Sequence, residues 1–181
     1  MIFAGIDYSL NGSAVSIFDD SFPISFKNTK IWFFSKIKKY NQQYDNITGL
    51  HIEYDSIMDR NIKTSNIILD ILLTNKVQYV GLEGYSFASK VGRMFDIAEG
   101  CGSLKEKMFL SNIPVEIIPP TTIKKFYTGK GNSNKVKMIE SFHSKHNIHL
   151  DHILGVSGKI DSSPVADIVD SYAILEYILQ N

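Results

Sequence analysis

Three short runs of β-branched and aromatic residues open the chain, and this order restricts the folds available to it. The runs cover residues 2–10, 12–18 and 30–34. Asn11-Gly12, between the first two runs, is a strong signal for a hairpin turn. A second turn is expected around residues 19–23. The pattern therefore predicts an antiparallel meander of three strands.

Helix and strand signals alternate in the rest of the chain. Apolar residues recur at helical spacing over residues 55–75, and the apolar run Val77–Glu83 is typical of a buried strand parallel to the first. Met94–Met108 has the periodicity of an amphipathic helix, and Val115–Ile118 is a strand that Pro119-Pro120 ends. Three further helices are predicted, with capping signals at Thr121 or Thr122, at Ser133 and at Ser163-Pro164.

This order of elements predicts an α/β fold. The sheet is expected to be mixed and five-stranded, with three antiparallel strands followed by two parallel ones, and to be flanked by helices. Residues 35–54 lack clear periodicity and are predicted to form a surface excursion outside the core. No internal repeat is present, and a chain of 181 residues can bury a core without disulfides. Residues 1–181 are therefore expected to form a single domain.

The composition excludes several classes of protein. Cys101 is the single cysteine, so an internal disulfide is impossible, and its apolar helical neighbours predict a core position. A hydrophobic content of 44% with 21% charged residues excludes wholesale disorder. No apolar run reaches the roughly 18 residues of a transmembrane helix. The first residues contain no basic leader, so we expect a cytoplasmic protein that does not associate with membranes.

Basic residues are segregated along the chain although the net charge is zero, with 19 basic and 19 acidic residues. Residues 27–44 and residues 119–139 each contain five lysines and no acid. Both segments could lie against nucleic-acid phosphates. Lysines that only keep a surface solvated are an equally good explanation from charge alone.

Four acids occupy positions that suggest a metal site. Asp7 and Glu83 end two apolar runs, and Asp167 and Asp170 are three residues apart on the predicted last helix, where they share one side. Two carboxylates about 4 Å apart repel by about 4 kcal/mol at an effective dielectric constant of 20, so four together require cations. Oxygen ligands without thiolates suit Mg²⁺ or Mn²⁺.

Each acid also has an ordinary structural explanation when it is taken alone. Asp7 could form a turn with Ser9, Glu83 could be a cap or pair with Lys90, and Asp167 could favour a helix N-terminus. Their joint placement on two adjacent parallel strands and one neighbouring helix favours the metal site.

Four segments, in order, resemble the RuvC-type Holliday-junction resolvases of the RNase H-like superfamily. They are Gly5–Leu10, which is similar to the opening strand with its catalytic Asp; Leu82-Glu83 followed by Phe87 and Lys90; Thr128–Gly131 with Lys135; and Ala166–Ala173, which is similar to the closing D-x-x-D helix. The resemblance spans nearly the full length. The chain departs from the family at Tyr8-Ser9, where Pro-Gly is usual, at one extra residue between Glu83 and Phe87, at Ser171, where Ala is commoner, and in the longer segment 35–54.

The resemblance implies an RNase H-like endonuclease that resolves four-way DNA junctions and leaves 5′-phosphate and 3′-hydroxyl ends. Two Mg²⁺ ions per active site, replaceable by Mn²⁺, would be held by Asp7, Glu83, Asp167 and Asp170, with Lys135 as a further catalytic residue. Residues expected to contact DNA are Phe87, Lys90, Arg93, Lys124, Lys125, Lys130 and Lys135. A composition rich in Ile, Lys and Asn would suit a viral member of the family, in which case the location would be the host cytoplasm.

Several of these contacts have alternatives. Tyr85 could stack on a junction base instead of Phe87, and Phe87 could equally be a core residue. Lys90 and Arg93 could form salt bridges within their own helix. Because a four-way junction is two-fold symmetric and needs paired cuts, a homodimer is expected, with Met94–Met108 as the dimer surface by family analogy.

Three other functions remain in view. A nuclease of the same fold could act on other branched DNA or on RNA–DNA hybrids with the same carboxylates. A junction-binding protein could use the acids for folding alone. Actin-like ATPases also open with Gly-Ile-Asp, but they need two such domains, and 181 residues supply one.

Histidines recur at every third position from 143 to 152, namely His143, His146, His149 and His152. Because the helix should end near Asn147 and no cysteine accompanies them, we predict exposed imidazoles rather than a zinc site. His152, in the loop before the last helix, could approach the active site and move protons.

Overall fold

A seven-stranded mixed sheet forms the centre of the computed structural model. The structure describes residues 1–10, 12–85, 91–156, 161 and 163–181, and for residues 91–93 it describes the backbone alone. The strands are β1 Ile2–Asp7, β2 Ala14–Asp19, β3 Lys30–Ser35, β4 Gln43–Tyr44, β5 Ile47–His51, β6 Tyr79–Glu83 and β7 Val115–Ile118. The helices are α1 Ile57–Thr74, α2 Val91–Leu110, α3 Pro120–Thr128, α4 Lys135–His146, α5 Leu150–Leu154 and α6 Val165–Gln180.

The strands follow the order β4-β5-β3-β2-β1-β6-β7 across the sheet. β1, β2 and β3 pair antiparallel, while β6 runs parallel to β1 and β7 runs parallel to β6. The α/β class, the opening meander and the two following parallel strands are therefore confirmed. The predicted number of five strands is wrong, because β4 and β5 extend one edge of the sheet.

The segment 35–54 forms this edge rather than the predicted surface excursion. β5 pairs parallel with β3, with Ile31 opposite Ile47, and the side chain of Ile47 is fully buried. Gly49 permits a close backbone contact with the carbonyl oxygen of Tyr40, which a side chain at position 49 would prevent. The strand was missed because β4 and β5 are short and the many polar residues around them obscure the apolar pattern.

The connection between β1 and β2 is longer than a two-residue hairpin. β1 ends at Asp7 and β2 begins at Ala14, and Asn11 of the predicted turn lies outside the described residues. Hydroxyl groups replace strand pairing here, since the backbone N–H of Ser9 donates to Ser13 Oγ at 3.3 Å and that of Gly12 donates to Ser9 Oγ at 3.2 Å. The antiparallel pairing was predicted correctly, but both strands were predicted to extend too far towards the turn.

All three predicted helix caps differ from the structure. α6 has Pro164 rather than Ser163 at its N-cap position, and no side chain caps it. α3 begins at Pro120 after Pro119 and has no side-chain cap, so neither Thr121 nor Thr122 serves as one. Asn134 caps α4 by accepting from the backbone N–H of Lys137 at 3.0 Å. Ser133 instead is buried and bonds to Thr128 Oγ1 at 2.6 Å.

Apolar side chains fill both faces of the sheet. On one face α3, α4 and α6 pack around fully buried residues that include Phe142 and Tyr172. On the other face α1 and α2 cover a second core, in which Cys101 is buried as predicted. Within the described part of the chain, no helix is long and apolar enough to span a membrane.

Candidate active site

Two parallel strands bring Asp7 and Glu83 to the same edge of the sheet. β1 and β6 pair in register with Ile6 opposite Leu82, and Asp7 and Glu83 are the next residues and the last of their strands. Carboxyl ends of parallel strands are a common position for functional side chains in α/β proteins. Each of the two carboxyl groups changes the pKa of the other, so they lie close together.

Helix α6 supplies the other two acids, and two glycines allow it to approach the strands. Gly5 of β1 and Gly81 of β6 are partners in the sheet. A Cβ at Gly5 would clash with the backbone of Ser171 and Leu175 in α6, and one at Gly81 would lie 2.9 Å from Ile174 Cγ2. The paired glycines therefore let the helix lie directly on the sheet, which brings Asp167 and Asp170 to the ends of the strands.

The four acids form one electrostatic cluster. Burial is the largest cause of a raised pKa at each carboxyl group, and it takes Asp167 to about 6 and Asp170 to about 8. The pKa of Asp7 is raised by burial and then by the charges of Glu83, Asp167 and Asp170. Burial also raises the pKa of Glu83. The predicted convergence of the four carboxyl groups is therefore present in the structure.

Two lysines face these acids across a cleft. Lys124 of α3 and Lys135, the first residue of α4, line it together with Asp7, Glu83 and Asp170. Burial lowers the pKa of Lys135, but the surrounding carboxylates outweigh burial and the net shift is upward. Lys135 also opposes the rise in the pKa of all four acids. The cleft has a volume of about 260 Å³, which leaves room for ions and water.

Other residues predicted to contact DNA are not part of this cleft. Lys125 and Lys130 are exposed and do not line it. Phe87 and Lys90 lie outside the described residues, as does the side chain of Arg93. Tyr85 is exposed at the cleft, where its ring lies 5.3 Å from the ammonium group of Lys105.

His152 does not line the cleft either. Its ring stacks on that of His149 at 5.3 Å, and its Nε2 lies 3.6 Å from Asp151 Oδ2. The suggestion that His152 approaches the active site is therefore not supported by the position of its side chain.

Ser163 and Gly12 support the acidic cluster, and neither role was predicted from the sequence. The hydroxyl group of Ser163 donates to Oδ2 of Asp167, which opposes the effect of burial on the pKa of Asp167. A Cβ at Gly12 would lie 2.6 Å from the same oxygen. Ser163 was interpreted only as a capping residue, and Gly12 only as a turn residue.

A second group of supporting residues surrounds Tyr8, directly after Asp7. The guanidinium group of Arg60 lies over the Tyr8 ring at 5.4 Å and donates to the carbonyl oxygen of Ser9. Arg60 also donates to Asn61 Oδ1 at 2.8 Å. Because Arg60, Asn61 and Tyr8 are all buried, this network fixes the backbone that follows β1. The sign of this network in the sequence is that polar residues occupy a side of α1 where a buried helix face is usually apolar.

The fold is that of the RNase H-like, RuvC-type Holliday junction resolvases. RuvC of Thermus thermophilus aligns with a TM-score of 0.60 and 16% identity, over 99% of this chain and 96% of that one. RuvC of the same organism in complex with a Holliday junction substrate gives 0.61 and 15% identity, over 99% and 95%. The yeast mitochondrial Holliday junction resolvase Ydc2 gives 0.58 and 13% identity, over 96% and 75%. No protein-family profile and no curated protein sequence matches this chain.

Proposed function

We propose that this protein is a structure-selective endonuclease that resolves four-way DNA junctions by metal-dependent hydrolysis. The observation that carries the proposal is the cluster of Asp7, Glu83, Asp167 and Asp170. These carboxyl groups come from two strands and one helix and are largely buried. Asp7, Glu83 and Asp170 line an open cleft together with two lysines. A cluster that only served folding would leave several buried acids in mutual repulsion without benefit.

The donor set of the cluster fits Mg²⁺ or Mn²⁺. All four groups offer carboxylate oxygens, and no thiolate or imidazole lines the cleft among the described residues. Burial raises the pKa of Glu83 and Asp170 although Lys124 and Lys135 lower it, so cations that replace the lost hydration would favour the charged carboxylates. In no set of three of these carboxylates does one oxygen atom from each lie within 4.8 Å of the other two. Bound ions would therefore draw the oxygen atoms together. We infer two ions per site, because four carboxylates exceed what one Mg²⁺ usually takes from a protein.

The residues of the cleft have separable tasks in this mechanism. Divalent ions would lower the pKa of the attacking water and offset the charge that develops on the phosphate. Asp7 is central to the cluster, because the charges of Glu83, Asp167 and Asp170 all raise its pKa, and it would help to hold the ions. Lys135 and Lys124 can hold non-bridging phosphate oxygens of the scissile strand. Ser163 keeps the carboxylate of Asp167 oriented.

The junction as substrate is supported by the structural relatives. One of them is RuvC in complex with a Holliday junction substrate, and another is a Holliday junction resolvase. A homodimer would provide the two active sites that paired cuts require. The surface of α2 supports this assembly, because large apolar side chains are exposed to solvent there. The exposed fractions are 59% for Phe95, 80% for Phe109 and 71% for Leu110.

The decisive experiment compares cleavage of a synthetic four-way junction with cleavage of a linear duplex of the same sequence. We expect Mg²⁺-dependent nicks at symmetric positions of the junction, 5′-phosphate ends, and far less cutting of the duplex. Asp7→Asn should abolish cutting while it preserves junction binding. Equal activity of wild type and Asp7→Asn would refute the mechanism.

Lys135→Ala tests the role of the cleft lysines. We expect this variant to lower the cleavage rate more than the affinity for the junction, because the lysine meets charge that develops in the transition state. Lys137→Ala is the matched control, since Lys137 is exposed on the same helix and does not line the cleft. An equal loss in both variants would assign Lys135 to general electrostatic binding instead.

Two alternative functions are separated by the same assays. Preference for an RNA–DNA hybrid or for another branched DNA would identify a different nuclease of this fold. Junction binding without cleavage in either Mg²⁺ or Mn²⁺ would identify a binding protein.

A further inference from the structure

A second cluster of possible metal ligands lies where α4 ends and α5 begins. α4 ends at His146, and Asn147 follows in the left-handed conformation, with φ at 53°. This reversal brings α5 back so that His149 and Asp151 meet His143 of α4. The rings of His143 and His149 are 4.5 Å apart. Exposed imidazoles were predicted from the sequence, and this prediction is wrong for His143 and His146, which are partly buried.

The ligand atoms of this cluster converge more closely than those of the carboxylate cleft. One atom each from His143, His149 and Asp151 lies within 4.8 Å of the other two. Within the described ranges of the chain, no other three histidine, cysteine or acidic side chains meet in this way. A fourth group is at hand, since His152 Nε2 lies 3.6 Å from Asp151 Oδ2.

Two atoms of the cluster are buried without a hydrogen-bond partner. They are Nε2 of His143 and Oδ1 of Asp151, and neither finds a donor or acceptor among the residues that the structure describes. Buried polar groups in native proteins are nearly always paired, so each unpaired atom calls for an explanation. A shared cation would satisfy both atoms at once.

We propose that His143, His149 and Asp151 bind a transition-metal ion of the zinc class and thereby fasten α5 to α4. Two imidazoles and one carboxylate suit Zn²⁺ better than Mg²⁺, which prefers oxygen ligands and retains its water. His152 or a water molecule completes a tetrahedral shell. Neighbouring ligands of a tetrahedral Zn²⁺ are roughly 3.3 Å apart, and the present separations of at most 4.8 Å can reach this spacing by small side-chain movements.

The metal ion at this site would stabilise the fold and would not take part in the reaction. None of its ligands lines the carboxylate cleft. α4 carries Lys135 at its first residue and Met138 in the cleft wall, so an ion at the other end of α4 would hold the position of this helix. The inference does not depend on the proposed nuclease activity, because it concerns different residues and a different ion.

The test uses the full-length chain with Zn²⁺ or Co²⁺ alone as probe. Because the carboxylate cleft can also bind these ions, titrations are made in a background with Asp7→Asn and Asp170→Asn. We expect one ion per chain, an intense visible Co²⁺ spectrum typical of tetrahedral sites with nitrogen ligands, and a rise in Tm with Zn²⁺.

Variants of the ligands distinguish this site from adventitious binding. His149→Ala and Asp151→Asn should each weaken Zn²⁺ affinity at least about tenfold and remove the tetrahedral spectrum. His149 is exposed, so the metal-free His149→Ala protein should keep the Tm of its parent. His51→Gln, on β5, is the matched control and should bind Zn²⁺ like its parent. Absence of a tetrahedral spectrum in the background protein, or the same affinity in His149→Ala and Asp151→Asn as in their parent, would overturn the proposal.

Discussion

Replacing Asp170 by asparagine should stabilise the metal-free protein, and the gain should increase with pH. Burial, and then the charge of Glu83, raises the pKa of Asp170 from 3.8 to about 8. Between these two values the folded chain retains a proton that the unfolded chain has released. The free energy of unfolding of the wild type therefore falls as the pH rises from about 4 to about 8. Asparagine has no charge to bury and removes this dependence.

The size of the effect follows from the two pKa values of Asp170. At pH 8 the carboxyl group is fully ionised in the unfolded chain and half ionised in the folded chain, which corresponds to roughly 5 kcal/mol of lost stability. This figure is an upper limit, because water and buffer cations that enter the cleft reduce the penalty. Even about 2 kcal/mol would raise the Tm of a chain of this size by about 6 °C.

The assay is thermal unfolding in EDTA between pH 4 and pH 8, followed by circular dichroism. Asp170→Asn should exceed the wild type in Tm at pH 8, and the difference should vanish towards pH 4. Mg²⁺ should stabilise the wild type more than the variant, because the variant lacks one ligand. Asp70→Asn is the matched control, since Asp70 is exposed on α1 and should show no such trend. A Tm difference that is absent at pH 8, or equal at pH 4 and pH 8, would refute the electrostatic reasoning.

Three further predictions concern packing. Gly5→Ala should destabilise the protein by about 3 kcal/mol, because the added methyl group clashes with the backbone of α6; an unchanged urea midpoint would contradict this contact. Phe142→Ala should cost about 4 kcal/mol in urea denaturation, since Phe142 is fully buried, whereas Phe109→Ala, at an exposed position, should cost far less. Burial raises the pKa of Cys101 to about 12, so the native protein should resist iodoacetamide at pH 8 and react only after unfolding; rapid native alkylation would show that this core opens.

Elements with strong local signals were predicted from the sequence. The apolar runs that became β1, β2, β3, β6 and β7 are each bounded by turn residues or prolines, so their patterns are visible without knowledge of their neighbours. β4 and β5 were missed because they are short, and because the pairing of β5 with β3 and of β4 with β5 is a tertiary property.

The acids of the candidate site were found because their positions at the ends of apolar runs and on one side of a helix are local features. Asp7, Glu83, Asp167 and Asp170 needed only the order of elements to be placed together. Ser163 was missed because its contact with Asp167 depends on how the chain enters α6. Phe87 and Lys90 remain predictions, as does the contact of Lys125 and Lys130 with DNA.

By itself, the sequence determined the α/β class, the meander and the identity of the acids, because propensity and periodicity are properties of neighbouring residues. The tertiary structure decided how closely these pieces approach. The pairing of Gly5 with Gly81 allows α6 to lie on the sheet, and the left-handed residue Asn147 brings His149 back to His143. Both contacts depend on how distant elements pack against one another. Local sequence patterns therefore do not predict them.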